Sequence, residues 1–213
     1  TAPHTSSTGK YGSGHYTLYL TGSGGAKISP WHDIPLKSKD GYNMVTEIPM
    51  HTTAKMEVQK DEPHNPIMQD TNDDGSARYY TYGVPFFNYG LFPQTWEDPE
   101  LIENGHGGDN DPLDVIEVGS TPLLMGSVTS VKVLGSLELI DGGETDHKII
   151  VLRTSDPLSP KVNSMRDLER YKPGMYLLNL MCRSFWYLTL LLCISFGRLD
   201  RAPGGLVEEL QDF

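Results

Sequence analysis

The chain has 213 residues, with 28 acidic against 17 basic side chains and a formal charge of −11. That length supports one compact domain with a core, or a domain plus an extension, and the acidic balance disfavours nucleic acid and anionic membranes as partners while permitting a local basic pocket. Only two cysteines occur, Cys182 and Cys193, which excludes a disulfide scaffold and a zinc ribbon and makes a reducing cytoplasm the expected location.

Residues 1–14 are small, polar and glycine-rich, read as a mobile segment, and show no apolar run or cleavage pattern of a secretory signal. From residue 15 onward, short alternating runs suggest strands: "YTLYL", "NMVTEI", "AKMEVQK", "VTSVKVLGSLELI" and "HKIIVLR". Their separators, "DGY", "DEPHNP", "NDDG" and "DGGE", carry turn chemistry. One helix is expected in "SMRDLERYKPG". Ser164 and Asp167 form a capping-box-like start, Met165, Leu168 and Tyr171 recur at helical spacing, and Pro173 and Gly174 stop it. The pattern predicts a mainly β (α+β) chain, an antiparallel β-barrel with few helices. No internal repeat is present.

Composition changes after Gly174. The stretch "YLLNLMCRSFWYLTLLLCISF" is almost wholly apolar, interrupted by Asn179 and Arg183. Its uncharged centre, residues 185–196, falls short of the roughly 20 residues that span a bilayer, so a membrane partner is not expected.

The chemistry concentrates in "GDNDPLDV", with Asp109, Asp111 and Asp114 inside six positions. Were "GDNDP" extended, Asp109 and Asp111 would share a face. Pro112 would then bend the chain so that Asp114 approaches them. Three converging carboxylates are either wet and exposed or gathered around a hard cation such as Mg²⁺ or Ca²⁺. Two further stretches repeat the pattern. "ELIDGGETDHKII" offers Asp141 in a turn, then Asp146 and Lys148 two apart on one strand face. "TEIPMHTTAKMEV" offers Glu47 at a strand end, then Lys55 and Glu57 sharing a face. Each pair taken alone reads as an exposed outer face. Together they supply at least seven acidic groups and two lysines, which several Mg²⁺ ions and a phosphate-rich anion would balance. A competing motif, "DTNDDGS" from Asp70, begins like a calcium loop. Its twelfth position is Thr81 where a bidentate Glu belongs, and its flanks are poor helices, so a plain turn between strands is expected.

At this point the residues resemble the soluble, Mg²⁺-dependent inorganic pyrophosphatases of eukaryotic type. The likeness runs through "WHDIPL", "YNMVTEIPMHTTAKMEV", "NPIMQDT", "FNYGLFPQTWEDP", "GDNDPLDVIEVG", "VKVLGSLELIDGGETDHKIIVL" and "DPLSPKVNSMRDLERYKPG", over residues 15–175. It implies an OB-like five-stranded barrel with few flanking helices, a surface cavity, and hydrolysis of pyrophosphate to two phosphates. It also implies site roles. Asp109, Asp114 and Asp146 would hold the first Mg²⁺, with Asp114 sharing a second. Asp141 and Asp146, helped by Glu57, would face ions that arrive with substrate, and Glu47 would sit at the rim. Asp111 would take the proton of a metal-bridging water, while Lys55, Arg78, Tyr89 and Lys148 would bind phosphate oxygens.

The chain departs from that family in three places. The family's tyrosine four residues before the one in "NYG" is Pro85 here, with Tyr82 as a candidate replacement. A family Tyr-Lys pair for phosphate and a closing helix give way to residues 176–213, a tail without that pair. Losing two charge-assisted contacts of roughly 1.5–3 kcal/mol each predicts a rate reduced by about 10²–10⁴. The alternative left open is a catalytically weak isoform that binds metal and associates with full-length subunits. Finally, the Arg-Trp pair that many relatives use in a homodimer contact is replaced by Met50 and His51.

Overall fold

The structure is a computed structural model and describes residues 3–81 and 83–174. Its strands, in chain order, are β1 (His4–Thr8), β2 (Thr17–Thr21), β3 (Lys27–Ile28), β4 (Lys37–Ser38), β5 (Gly41–Ile48) and β6 (Met56–Val58). They continue with β7 (Ile67–Gln69), β8 (Asn88–Leu91), β9 (Asp114–Glu117), β10 (Val128–Asp141) and β11 (Glu144–Arg153), before one helix, α1 (Met165–Tyr171).

Five strands close a ring in the order β5–β8–β9–β11–β10 and back to β5. Four of these pairings are antiparallel, and the fifth, β9 with β11, is parallel. This is the strand order of an OB-like barrel, as the resemblance implies. The parallel pair is a refinement of the antiparallel expectation, and it matters for the site. Gly90 is required where β8 crosses β5, because a Cβ there would lie 1.9 Å from the Val45 carbonyl oxygen. A smaller sheet, β1–β2–β7–β6 with β3 on β2, packs beside the ring.

The long β10–β11 hairpin turns at Gly142 and Gly143, both at positive φ, as "DGGE" suggests. Along β11 both faces are buried. Ile149 and Val151 pack with Met44, Phe92, Val115 and Val131, whereas Ile150 and Leu152 pack with Val45, Leu91 and Ile116. Two-sided burial explains why the short strands β8 and β9 show little apolar–polar alternation and went unpredicted, whereas β7, only three residues long, is too short to show a period. Helix α1 has the expected cap. The Ser164 hydroxyl accepts from the Asp167 amide at 3.1 Å, and Leu168 is buried against the larger core.

One strand was unforeseen and one expectation is corrected. Residues 4–8 pair in register with β2. The pairing is through the backbone with all five residues exposed, so composition gave no apolar signal. "GDNDP" is not extended, because Asn110 sits at φ 65° and turns the chain between its two aspartates. The "DTNDDGS" stretch forms the expected turn, with Gly75 donating to the Asn72 carbonyl at 2.8 Å. Met50 is buried, its amide donating to Asn88 Oδ1, while His51 beside it is exposed. Tyr82 and the apolar tail lie outside the described residues.

Candidate active site

One cavity of about 390 Å³ opens at the junction of the barrel and the smaller sheet. It is lined by every residue singled out from the sequence: Glu47, Lys55, Glu57, Arg78, Tyr89, Asp109, Asp111, Asp114, Asp141, Asp146 and Lys148. Tyr80 and Glu144 line it as well.

The parallel pairing builds its floor. Lys148 on β11 lies in register with Asp114 on β9, and Asp146 precedes Lys148 by two on the same face. The Lys148 ammonium therefore donates to both Asp114 Oδ2 and Asp146 Oδ1. Asp146 and Lys148 are 6% and 1% exposed, which rules out the reading of this pair as an outer, wetted face. Burial lowers the Lys148 pKa, but the Asp114 and Asp146 charges overcome it and leave the pKa well above the usual lysine range. Tyr89, on β8, presents its ring 5.8 Å from the Lys148 nitrogen. Its phenol is held far above its ordinary pKa by burial and then by the Asp114 and Asp146 charges.

A bulge sets Glu47. The β5–β8 register slips between Thr46 and Ile48, leaving Glu47 as the extra residue. Its carboxylate accepts from the Val58 amide of β6 at 2.6 Å, tying the barrel to the smaller sheet. Burial, then the Asp114 charge, pushes its pKa well above the carboxylate range.

The cationic wall comes from the smaller sheet. Lys55 donates to Glu57 at 2.5 Å and to Asp70 at 2.9 Å, and Arg78 reaches the same Asp70 oxygen at 2.8 Å. Backbone bonds Lys55 N to Arg78 O and Arg78 N to Asp70 O hold the three residues together. Asp70, weighed in the sequence only as the start of a calcium loop, thus orients both cations. Burial raises the Glu57 pKa, with Lys55 acting against it.

Asp109 and Asp111 reach the cavity through a turn. The Asp111 amide donates to Asp109 Oδ1 at 3.0 Å, and Lys60 pairs with Asp111 at 2.8 Å. Burial, then the charges of Glu97 and Asp146, pushes Asp109 up to about 8. Burial and Asp114, opposed by Lys148, leave Asp146 at about 6. Glu97 was not singled out from the sequence, where it is one acid among several in "TWEDPE". It is buried, and one carboxylate oxygen from each of Glu97, Asp109 and Asp146 lies within 4.8 Å of the other two. Burial and then the Asp146 charge raise Glu97 to about 9. Only the tertiary contact reveals it. Tyr80 was missed for a similar reason: it read as part of a turn flank, yet its partly buried side chain lines the cavity.

The donors facing the cluster are oxygens only, which suits a hard divalent cation rather than a soft one. Eight carboxyl groups and three cations share the cavity, so the lining can hold cations and oxyanions side by side.

A family model described as inorganic pyrophosphatase matches residues 44–177. The inorganic pyrophosphatase of Eremothecium gossypii is 50% identical over 160 residues, covering 71% of this chain and 55% of the relative. The chain thus spans little more than half the length of that relative, as it does for the Zygosaccharomyces bailii protein, 48% identical, with 75% and 58% covered. Among solved structures, type I inorganic pyrophosphatase from Toxoplasma gondii superposes with a TM-score of 0.81 at 43% identity, covering 86% of this chain and 83% of that one.

Proposed function

The chain belongs to the inorganic pyrophosphatase family, and on that premise we propose that it hydrolyses pyrophosphate to two phosphates with the help of Mg²⁺. The observation that carries this reading is the convergence of all eleven sequence-named residues on one cavity.

Bound there, Mg²⁺ would supply charge neutralisation and a water more acidic than bulk. Asp109, Asp114, Asp141 and Asp146, with Glu57 and Glu47 beside them, are the residues proposed to hold it. Asp111 is the proposed base. It is half exposed at the cavity mouth, where it can accept a proton from a water and release it to solvent. Lys55, Arg78 and Lys148 are proposed to bind phosphate oxygens, since each already holds carboxylates through charge-assisted hydrogen bonds that a phosphate can replace, two for each lysine and one for Arg78. Tyr89, kept neutral by its surroundings, would donate its phenol proton without acting as a base. The cytoplasmic location and a homodimer belong to the same proposal. The first rests on cysteine usage, the second on the family resemblance.

Phosphate release from pyrophosphate by the purified chain tests the reading. Turnover should require Mg²⁺, stop in chelator and be inhibited by Ca²⁺, whose larger, looser coordination misplaces the attacking water. Turnover undiminished in excess chelator, or none with Mg²⁺, overturns it. Sedimentation of the same preparation reads the oligomeric state.

A further inference from the structure

We propose that Glu97 is a cation ligand, completing with Asp109 and Asp146 a three-carboxylate cage for a divalent cation of the Mg²⁺ class at the cavity wall. This rests on the hydrolase reading above and adds to it a residue and a direction of approach.

The first ground is placement. Glu97 does not line the main cavity. It lines a separate small recess, with Asp98, Gly108, Thr145 and His147, and so meets Asp109 and Asp146 from outside the main cavity. One oxygen from each of the three carboxylates lies within 4.8 Å of the other two, close enough for an ion with metal–oxygen distances of about 2.0–2.1 Å to draw them in.

The second ground is an unmet acceptor. Glu97 is 6% exposed, and its two oxygens are treated unequally. Oε1 accepts from the His147 amide at 3.0 Å and meets His147 Nδ1 at 2.8 Å. Oε2 is buried and has no hydrogen-bond partner among the described residues. Buried carboxylate oxygens are costly unless paired, and such an orphan needs a cation, a water or a proton. Anchoring of Oε1 holds the carboxylate in place beside those of Asp109 and Asp146 and leaves Oε2 open to a ligand.

The third ground is rigidity. Glu97 N donates to Asp111 O and Asn110 N donates to Glu97 O, both at 2.9 Å, so Glu97 is paired to the very loop that carries Asp109. Gly108 allows this approach, since a Cβ there would stand 2.3 Å from the Glu97 carbonyl carbon. A ligand set held this firmly loses little entropy when the ion arrives.

Mn²⁺ binding to the full chain, measured by calorimetry without substrate, tests the proposal through the variant E97Q. Gln keeps the shape and an acceptor for the His147 amide but removes the charge. The expected result is Mn²⁺ affinity lower by about 10-fold or more. In chelator the variant should melt close to the parent, because Gln, like the protonated carboxyl, adds no buried charge, while its Mn²⁺-induced rise in melting temperature should shrink. If E97Q does not fold, E97D retains the charge one methylene short and should show the same loss of affinity. Unchanged Mn²⁺ affinity overturns the proposal, and that is the result expected if a buried water or a proton satisfies Oε2. When the parent chain also hydrolyses pyrophosphate with Mg²⁺, that outcome overturns the Glu97 assignment alone. A parent chain that binds no Mn²⁺ overturns this assignment and the hydrolase reading together.

Discussion

Lys148 and Asp111 illustrate how differently two charges in one cavity are held. Lys148 is buried between Asp114 and Asp146, and among the described residues neither carboxylate has another ion pair. Removing it as Lys148→Met should cost about 3–5 kcal/mol in the chelated chain, since buried Asp146 and partly buried Asp114 lose their counter-ion. Urea midpoints with and without Mg²⁺ check this, and added Mg²⁺ should recover part of the loss. Asp111 is paired with Lys60 at the cavity mouth and is half exposed, so it bears little structural load. Asp111→Asn should therefore lower kcat far more than Mg²⁺ affinity, because an amide keeps one acceptor oxygen but cannot take a proton. Equal losses in both would make Asp111 chiefly a ligand. Single residues also mark the limit of what the sequence reveals. Asp146 and Lys148 are legible as a pair two apart on a strand. Glu97 and Asp70 are not, because their significance arises only when a loop folds back on β11 or a turn folds back on Lys55.

Among the elements, α1 was the most legible and β9 the least. The helix carries local information that needs no partner: a Ser164 cap, Asp167 three residues on, apolar residues at helical spacing, and a Pro-Gly stop. Strand β9 is four residues long, follows an irregular aspartate loop, and is buried along most of its length because it pairs on both sides. Its parallel pairing with β11 is a long-range choice that no local pattern encodes. The cap of α1 also yields a pH dependence. The Asn163 amide and the Ser164 hydroxyl both donate to Asp167 and lower its pKa below the usual aspartate value. A carboxyl depressed in the folded state contributes stability above its unfolded value, and that contribution is lost as pH falls through the folded value. Asp167→Ala should thus destabilise the chain at pH 7, and the gap from the parent should close as pH falls below about 3, beneath the usual aspartate pKa of about 3.9. Denaturant midpoints at several acidic pH values decide this. A gap that is constant with pH would mean that the helix loses only packing.

For the molecule as a whole, the question is whether the barrel needs anything beyond Gly174. The ring is closed within residues 41–153, its last seam being the pairing of Val128–Val131 on β10 with Tyr42–Val45 on β5. Helix α1 then seals the larger core with Leu168, and Lys172 ties down the chain by donating to the Val118 and Gly119 carbonyls at 2.6 and 3.0 Å. The smaller sheet is likewise complete by residue 69. Among the described residues the ring and the smaller sheet are complete without an added apolar element, and "FWYLTLLLCISF" lacks the polar positions of a half-buried strand or helix. Placed on a surface, such a segment leaves large apolar side chains in water and promotes association. A version ending at residue 174 is therefore expected to be at least as soluble as the full chain. It should melt within a few degrees of it and retain the same Mg²⁺-dependent phosphate release, because all eleven sequence-named site residues lie within residues 47–148. Parallel expression of the two forms, with soluble fraction, thermal melting and phosphate release measured on each, provides the comparison. A truncated form that precipitates while the full chain stays monodisperse would mean that residues 175–213 cover part of the barrel, and the seal at Lys172 would not be its true end.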